Sequence, residues 1–345
     1  MPNSKISALP SKAVPIGADI TNILDSASAN ADKKITLSSL PISTTAQTAL
    51  NLKLTKGTKT IFCIDNGDFA TGQAAIDAAS QGDTILFGAK TGGWGNIVIP
   101  SGKGISLVGL QSDNSKYVKI GSLTFSPTTG GILLNEVYVS NLFITSATQA
   151  AVLFGGSVAA RLRLHDCYIA PTSNQKAISL TNTISTPPSI SSVYFVECII
   201  DAGISTSACF ESDTPYVRLV RTTIDGGSMS LQLNAGTFES DTVVYSLNRL
   251  GEIINVAGGT FLCTRSSIIN STTNGSGILL ATGAVMANVN NSFFVATGTG
   301  YCIRGTGIHA YAYMIFANSA LLAYNVKVQN TLTNVAYTTA FTLSP

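Results

Sequence analysis

The amino-acid sequence predicts an all-β fold, a solenoid in which short parallel strands stack along one axis. A six-residue phrase recurs about every 25 residues, a repeat length typical of solenoids. Hydrophobic residues make up 45% of the 345-residue chain and charged residues only 11%, whereas an average soluble domain has about 25% charged residues. The remainder is rich in Ser, Thr, Asn and Gly, which favour short strands joined by turns. The chain therefore has to bury much apolar surface although it has few charged side chains to place on its exterior.

The phrase reads apolar, any, polar, small, any, branched apolar, and the two clearest copies are 164–169 and 195–200. Because side chains alternate between the faces of a strand, the small and the branched residue share one face. We place this pair inside, since the opposite phasing would bury charged side chains. The eight copies are 139–144, 164–169, 195–200, 219–224, 239–244, 263–268, 289–294 and 316–321. The predicted inward pairs are Leu142/Ile144, Cys167/Ile169, Cys198/Ile200, Thr222/Ile224, Thr242/Val244, Ser266/Ile268, Ser292/Phe294 and Ser319/Leu321.

The central polar residue of each copy is predicted to face outward. These residues are Asn141, Asp166, Glu197, Arg221, Asp241, Arg265, Asn291 and Asn318. If the copies stack in register, neighbouring central residues lie about 4.8 Å apart at the backbone. Acids and arginines alternate from Glu197 to Arg265, so this part of the row predicts a surface ion-pair ladder.

Residues 57–88 predict the opening of the solenoid, with a strand, a short helix and a second strand. Thr58–Ile64 and Asp83–Phe87 have strand character, and Thr71 is placed to N-cap a helix over Gly72–Ser80. Ala75, Ile76 and Ala79 would form the buried face of this helix, and Gly82 would end it as a C′ glycine. Residues 89–321 would then hold the coils, and residues 322–345 a terminal coil or cap.

Residues 1–56 differ from the rest, because short apolar groups lie between Pro, Ser and Ala and are too sparse for a core. The segment opens with ISALP, has a middle that contains Asp19 and Asp25, and closes with KKITLSSL. It resembles the N-terminal attachment segments of tailed-phage fibres and spikes. The resemblance implies an extended virion anchor, whose apolar contacts would be Ile6, Leu9, Ile20, Ile23, Leu24, Ile35 and Leu37.

The stretch GQAAIDAASQGDTILF, residues 72–87, is similar to the opening of pectate-lyase-like right-handed parallel β-helices. In that fold the helix covers the open end of the solenoid. A cover is physically required, because a bare terminal coil exposes a strand edge and an apolar interior to water. The resemblance therefore implies a right-handed parallel β-helix with a short N-terminal capping helix.

Several carboxylates are candidates for catalysis. Asp166 and Glu197 would be adjacent, at a separation close to the ~5–5.5 Å of retaining glycosidases. The other pairs with suitable local spacing are Glu211/Asp213 and Glu239/Asp241. Carboxylates next to arginine tend to stay ionised, which does not suit a general acid, and Trp94 is the only Trp that could form a sugar platform. We therefore favour the ion-pair ladder and keep a polysaccharide glycosidase or lyase as the alternative.

A stripe of apolar residues is predicted on the outward face. It consists of Phe143, Tyr168, Ile199, Val243 and Phe293, each two places after a central polar residue. A monomer in water rarely exposes such a stripe, so its burial against identical copies is the simplest explanation, and the alternative is that loops of the same chain cover it. The phage spikes that the chain resembles are parallel homotrimers, which implies the same assembly here.

Other functional classes receive no support from the sequence. No apolar run approaches ~18 residues, so no membrane span is expected, and residues 1–18 lack the apolar centre of a secretory signal. The six Cys (63, 167, 198, 209, 263, 302) have no metal-binding spacing and are predicted to be buried, reduced thiols. A net charge of +2 gives no reason to expect nucleic acid. We expect no metal and no cofactor.

The resemblances imply a structural virion protein made in the host cytoplasm: a head fibre, a vertex or collar protein, or a short tail spike. Its partners would be two further copies of the chain and, through residues 1–56, other virion proteins of the capsid, portal, collar or tail. A glycan of the host surface is a further candidate partner. A bacterial surface adhesin of the same fold is disfavoured, because no export signal is found.

Overall fold

The fold class predicted from the sequence is confirmed, because parallel strands stack as a β-solenoid and the described residues contain one short helix. The computed structural model describes residues 60–63, 69–110, 118–128, 136–185, 190–247, 251–273, 276–290, 292–297, 303–305, 313–317, 320–322 and 335–337. All of them belong to the compact unit Thr58–Pro345. The predicted anchor at residues 1–56, with its apolar contacts, lies outside the described residues, as do Asn291 and Asn318 of the outward row.

From β3 onward the chain passes through three rows of strands in the repeating order row one, row two, row three, and the strands are numbered β1–β28 along the chain. Row two contains β1 (Thr60–Cys63), β2 (Thr84–Phe87), β4 (Ser106–Gly109), β7 (Glu136–Ser140), β10 (Arg161–His165), β13 (Ser192–Val196), β16 (Tyr216–Val220), β19 (Thr237–Asp241), β26 (Tyr313–Ala317) and β28 (Val335–Tyr337). Row one contains β3 (Ile97–Ile99), β6 (Leu123–Phe125), β9 (Val152–Phe154), β12 (Ile178–Leu180), β15 (Phe210–Ser212), β18 (Leu231–Leu233) and β25 (Ile303–Gly305).

Row three forms a separate nine-stranded sheet. It contains β5 (Val118–Ile120), β8 (Leu142–Ile144), β11 (Tyr168–Ile169), β14 (Ile199–Asp201), β17 (Thr223–Asp225), β20 (Val244–Leu247), β22 (Ser267–Thr273), β24 (Phe293–Thr297) and β27 (Ala320–Leu322). Two long strands, β21 (Glu252–Thr264) and β23 (Ser276–Asn290), run through both row one and row two and join them into one sheet. Equivalent residues of successive coils therefore lie directly above one another.

The inward pairs agree with the predicted phasing in most copies. Both members are buried in Leu142/Ile144, Cys167/Ile169, Cys198/Ile200, Thr222/Ile224 and Ser266/Ile268. Ser292 is buried too, whereas the side chains of Phe294 and Leu321, and Ser319 as a whole, lie outside the described residues. The interior is a column of small residues beside a column of branched ones, as expected for a narrow coil.

The copy at 239–244 was placed one residue too early. Ser240 pairs with Leu219, so the true phrase begins at Ser240. Val243 and Tyr245 are fully buried, whereas Thr242 and Val244, the predicted inward pair, are exposed. The acid at Asp241 matched the polar position of the phrase, but burial of Val243 and Tyr245 removes more apolar surface from water than burial of Thr242 and Val244 would.

In the six copies whose central residue the structure describes, with the shifted copy starting at Ser240, that residue is a bend between row two and row three, rather than an outward residue of one strand. Six non-glycine residues at this position have φ between 47° and 59°, in the left-handed region. They are Asn141, Asp166, Glu197, Arg221, Thr242 and Arg265. Asn and Asp tolerate this conformation better than other L-residues do. The single bent residue turns the chain from one sheet into the next and still presents its side chain to solvent.

The helix α1 (Gly72–Ala78) covers the first strand of row one. Thr71 Oγ1 accepts a hydrogen bond from the Ala74 amide at 3.2 Å, as the N-cap predicted, and Ala75, Ile76 and Ala79 are buried. Gln73 satisfies the open edge of β3, because its Oε1 accepts from the Val98 amide at 2.7 Å and its Nε2 donates to the Val98 carbonyl at 3.0 Å. The predicted capping of this edge is therefore achieved by one side chain.

The C-terminal end of α1 differs from the prediction. The helix ends at Ala78 and is capped by Ala79, whose φ of −71° is not left-handed. Gly82, expected as the C′ glycine, lies three residues further on in a turn, with φ of 84°. Lys103 Nζ donates to the carbonyls of Ile76 and Asp77, at 2.7 and 2.8 Å, and so satisfies the end of the helix from the next coil.

Candidate functional site

The candidate carboxylate Glu197 lies at a bend and is held by two basic side chains. Arg221, at the bend of the next coil, places Nη2 2.8 Å and Nε 2.9 Å from Glu197 Oε1. His165 Nε2 lies 3.3 Å from Glu197 Oε2. Alternation along one continuous strand would make His165 face away from this row, but the bend at Asp166 breaks the alternation and leaves His165 on the outer face of β10. Asp166, the proposed partner of Glu197 in a catalytic pair, is half-buried at the preceding bend.

Glu239 and Asp241 lie on the outer face of β19 and each contact a different arginine. Arg265 forms a two-point contact with Asp241, with Nε 2.9 Å from Oδ1, and this hydrogen bonding lowers the pKa of the Asp241 carboxyl. Glu239 Oε2 accepts a hydrogen bond from Tyr216 Oη at 2.7 Å and lies 3.9 Å from Arg218 Nε. A lowered carboxyl pKa favours the ionised form, which is the wrong direction for a general acid.

The outward row forms separate ion pairs in this region. The predicted pairs Glu197–Arg221 and Asp241–Arg265 are present. The ladder also predicted a contact between Arg221 and Asp241. These two residues are joined through the backbone, because the Arg221 amide donates a hydrogen bond to the Asp241 carbonyl at 3.0 Å. Exposed pairs of this kind contribute about 0–1 kcal/mol each to the stability of a protein.

Glu211 and Asp213, the third carboxylate pair, lie at the end of row one. Glu211 on β15 forms an ion pair with Lys176 and accepts a hydrogen bond from Asn234 Nδ2 at 3.1 Å. Asp213 follows β15, and its amide donates to the Leu180 carbonyl at 2.8 Å. The six candidate carboxylates therefore lie in three different places: Asp166 and Glu197 at two bends, Glu239 and Asp241 on β19, and Glu211 and Asp213 in and after β15.

A shallow cleft lies between two stacked loops, 171–174 and 202–205, and has a volume of about 330 Å³. Its lining contains Pro, Thr, Ser, Asn, Ala, Gly and Ile, with no ionisable side chain. Trp94 cannot serve as a sugar platform, because it is buried and its Nε1 donates to the Gly88 carbonyl at 2.7 Å. The cleft therefore lacks the acid and base that glycoside cleavage requires.

The outward positions of row three form a column along the solenoid, which we call the row-three column. Strand register places its members in the order Lys119, Phe143, Tyr168, Ile199, Thr223, Val244, Ser267, Phe293 and Ala320. The rings of Phe143 and Tyr168 are stacked, with centroids 5.0 Å apart and an interplanar angle of 20°. Ile199 is 43% exposed and Val244 is 36% exposed.

One residue of the predicted stripe was misplaced. Val243 is fully buried, because the copy at 239–244 is shifted by one residue, and Val244 occupies the outward position in its place. Phe143, Tyr168 and Ile199 lie in the row-three column as the phasing required. Phe293 is aligned with them through Ser267, but its side chain lies outside the described residues.

A second outward column runs along row two and was not singled out from the sequence. It consists of Tyr138, Arg163, Tyr194, Arg218 and Glu239, aligned on β7, β10, β13, β16 and β19. We call it the row-two column. The signal was present, because each member immediately precedes a copy of the phrase once the shifted copy is corrected to start at Ser240. Tyr and Arg alternate at this position in the first four coils of the column.

Four described cysteines, Cys167, Cys198, Cys209 and Cys263, are buried free thiols, as predicted. Burial raises the pKa of Cys167, Cys209 and Cys263. Within the described residues, no group of three or more His, Cys, Asp or Glu side chains is placed to hold a metal ion. No helix in that part of the chain is long and apolar enough to cross a bilayer.

Any conclusion about the function of this chain rests on its fold and on its surface geometry. No protein-family model matches the sequence, and no curated protein matches it.

Proposed function

We propose that the chain is the β-helical shaft of a virion appendage, a homotrimeric head fibre, vertex or collar protein, or short tail spike. In this proposal the chain is made in the host cytoplasm and joins the particle through residues 1–56. The proposal combines the solenoid with the resemblance of the N-terminal segment to phage attachment segments. The observation that supports it most is the row-three column, which gives the shaft a surface for lateral assembly.

The row-three column is suited to contact with identical copies. Phe143, Tyr168, Ile199 and Val244 lie on the same outward line, with Thr223 between Ile199 and Val244, so a sister shaft in parallel orientation would meet large apolar side chains at four coils. The exposed fractions of Ile199 and Val244 are high for large apolar side chains on an otherwise well-packed solenoid. Burial of these four side chains removes apolar surface from water, and the charged residue of the column, Lys119, lies at one end of it.

Polysaccharide cleavage remains the second candidate function, with Asp166, Glu197, Glu211, Asp213, Glu239 and Asp241 as its carboxylates. Hydrogen bonding from Arg265 lowers the pKa of the Asp241 carboxyl and so disfavours Asp241 as a general acid, and Glu197 is paired with Arg221. Release of oligosaccharides from host surface polysaccharide, lost in the Glu197→Gln variant, would favour cleavage over a structural shaft.

The attachment role is tested by deletion of residues 1–56 in the virus that encodes the chain. We expect residues 57–345 to fold and to retain the circular dichroism of a β-solenoid, but to be missing from purified particles. The full chain, expressed at the same level, is the control and should be present in particles. Incorporation of the truncated chain at the level of the full chain would contradict attachment through residues 1–56.

A further inference from the structure

Ile204 is the most exposed large apolar side chain in the described part of the chain, with 81% of its surface accessible. It lies in the tight turn 202–205, which follows β14 of row three and is closed by a hydrogen bond from the Ser205 amide to the Ala202 carbonyl at 3.1 Å. A single exposed isoleucine is common on protein surfaces. This one lies beside the row-three column, at the edge of the surface that we assign to assembly.

Contacts with the preceding strand and with the next coil fix this turn. The Gly203 amide donates to Asp201 Oδ1 at 2.7 Å, and the Gly203 carbonyl accepts a hydrogen bond from the Gly227 amide at 2.9 Å. Ser205, on the far side of the turn, is buried. Because the turn is ordered before any contact forms, Ile204 loses little conformational entropy when a partner covers it.

Row three has two unlike edges. We call residues 196–197 and 220–221, where the chain enters row three, the bend edge, and residues 201–205 and 225, where it leaves row three, the loop edge. Four residues separate the two edges within one coil, which is about 13 Å at about 3.3 Å for each residue. Two parallel shafts that meet through row three bring the loop edge of one chain to the bend edge of the next, whereas antiparallel shafts bring like edges together.

The bend edge carries an apolar partner for Ile204. Val196 and Val220 end β13 and β16, are half-buried, and are paired in register on adjacent coils. Val196 and Ile204 belong to the same coil, because they precede and follow the same row-three strand. Three-fold symmetry about an axis parallel to the solenoid keeps residues of one coil at one height, so Ile204 of one chain meets the two valines of the next without an axial shift.

The charges of the following coil are complementary. Arg221, on the bend edge, has 57% of its side chain exposed and uses Nε and Nη2 for Glu197, which leaves guanidinium donors for a second carboxylate. Asp225, on the loop edge, is exposed. Within the described residues its carboxylate accepts from the Gly226 amide at 2.9 Å and from Ser246 Oγ at 2.6 Å, in both cases through Oδ1. Its Oδ2 is therefore placed to pair with Arg221 of the next chain.

The remaining acids of the two edges favour the parallel orientation. Glu197 lies beside Arg221 and His165 of its own chain, and Asp201 accepts a hydrogen bond from its own turn. Each of these acids already has a donor, so a parallel neighbour need not supply one. An antiparallel neighbour would place the Asp201 and Asp225 carboxylates of two chains against one another, and such like-charge contacts are unfavourable.

We propose that the loop edge of one chain docks on the bend edge of the next. In this contact Ile204 packs on Val196 and Val220, and Asp225 pairs with Arg221. The proposal rests on the homotrimeric shaft proposed above and names the two unlike surfaces that would close the ring of three. Each chain would use its loop edge toward one neighbour and its bend edge toward the other.

Cysteine cross-linking of the full chain tests this contact. In the Ile204→Cys, Val220→Cys double variant, oxidation with copper phenanthroline should give species of two and three chains on denaturing gels without reductant. Row three separates the two positions within one chain by more than a disulfide spans, so the bond has to join neighbouring chains. Each single variant should give no cross-linked species, because one new thiol then faces a valine or an isoleucine.

The matched control is the Ile190→Cys, Val220→Cys double variant. Ile190 is 50% exposed and precedes β13, at the end of row two opposite the bend edge. This control should remain uncross-linked. A trimeric mass without cross-linking of the Ile204→Cys, Val220→Cys variant would overturn the docking of the two edges and leave the trimer in place. A single-chain mass for the unsubstituted protein would overturn the shaft and this contact together, and cross-linked species that stop at two chains would contradict a closed ring.

Ile204→Asp provides a second test if the double variant does not fold. A carboxylate in place of this side chain would be buried against the two valines, so the variant should sediment as a single chain at concentrations where the unsubstituted protein is trimeric. Ile190→Asp introduces the same charge outside the two edges and should remain trimeric. Equal masses for the two aspartate variants would overturn the proposal.

Discussion

Replacement of Phe238 by alanine is expected to lower the free energy of unfolding by about 3–5 kcal/mol. Phe238 is fully buried on β19, where its ring meets Phe210 in a T-shaped contact at 5.3 Å and Phe261 at 6.2 Å. These rings come from three successive coils, so removal of the middle one leaves a cavity across two coil interfaces. A narrow solenoid cannot collapse onto such a cavity without breaking strand register. We therefore expect a loss of unfolding free energy in the upper part of this range.

The measurement is urea denaturation followed by far-ultraviolet circular dichroism. Leu262→Ala is the matched control, because Leu262 neighbours Phe261 on β21 but is only half-buried on the opposite face. We expect a change of about 1 kcal/mol or less for this control. Equal shifts of the denaturation midpoint in Phe238→Ala and Leu262→Ala would contradict the assignment of Phe238 to the core.

Gly236→Ala is expected to destabilise the solenoid by about 2–5 kcal/mol, from a left-handed backbone penalty and an overpacking penalty together. Gly236 has φ of 80° in the turn from β18 to β19. A Cβ atom at this position would lie 2.2 Å from the Thr214 carbonyl oxygen of the preceding coil. Because that contact is with backbone, relief requires the two coils to move apart.

Gly203→Ala separates the two penalties. Gly203 also has positive φ, of 54°, but a Cβ atom there would meet nothing within 4 Å. This variant should show the conformational penalty alone, about 1–2 kcal/mol. If Gly236→Ala and Gly203→Ala have the same denaturation midpoint, close stacking of the turns does not contribute to stability.

The fold class was predictable because the burial pattern repeats with the chain. Several coils repeat a small and a branched inward residue, as in Cys167/Ile169 and Cys198/Ile200, and these pairs are buried. The assignment of inward and outward positions was wrong for the copy at 239–244. Asp241 fits the polar position of the phrase but lies one residue before the true bend at Thr242. Only strand pairing, which matches Ser240 with Leu219, fixes the phase of that copy.

The surface was harder to predict, because side-chain direction changes at the bend. The pairs Glu197–Arg221 and Asp241–Arg265 follow from adjacency of the coils and were expected. The contact of His165 with Glu197 was not, since alternation along one continuous strand places His165 opposite Asp166. The left-handed residue at the bend interrupts the alternation of side chains between the two faces of the strand. The sequence does not indicate such a bend at Glu197 or Arg221, because Glu and Arg are not enriched in the left-handed conformation.

The row-two column was missed for a related reason. The recurring phrase does not include the residue that precedes it, and Tyr138, Arg163 and Tyr194 all occupy that preceding position. Each of these residues is unremarkable alone. They form a line only when the register of β7, β10 and β13 is known, because the spacing along the chain varies with the length of the intervening loops.

The mass of the full chain in solution is the most direct test of assembly through the row-three column. Sedimentation equilibrium should give three times the chain mass of 35.8 kDa, and Phe143→Asp should reduce the value to that of a single chain, because a carboxylate would be buried between the shafts. Leu153→Asp, on the row-one face, is the control and should remain trimeric. A single-chain mass for the unsubstituted protein would contradict the homotrimeric shaft.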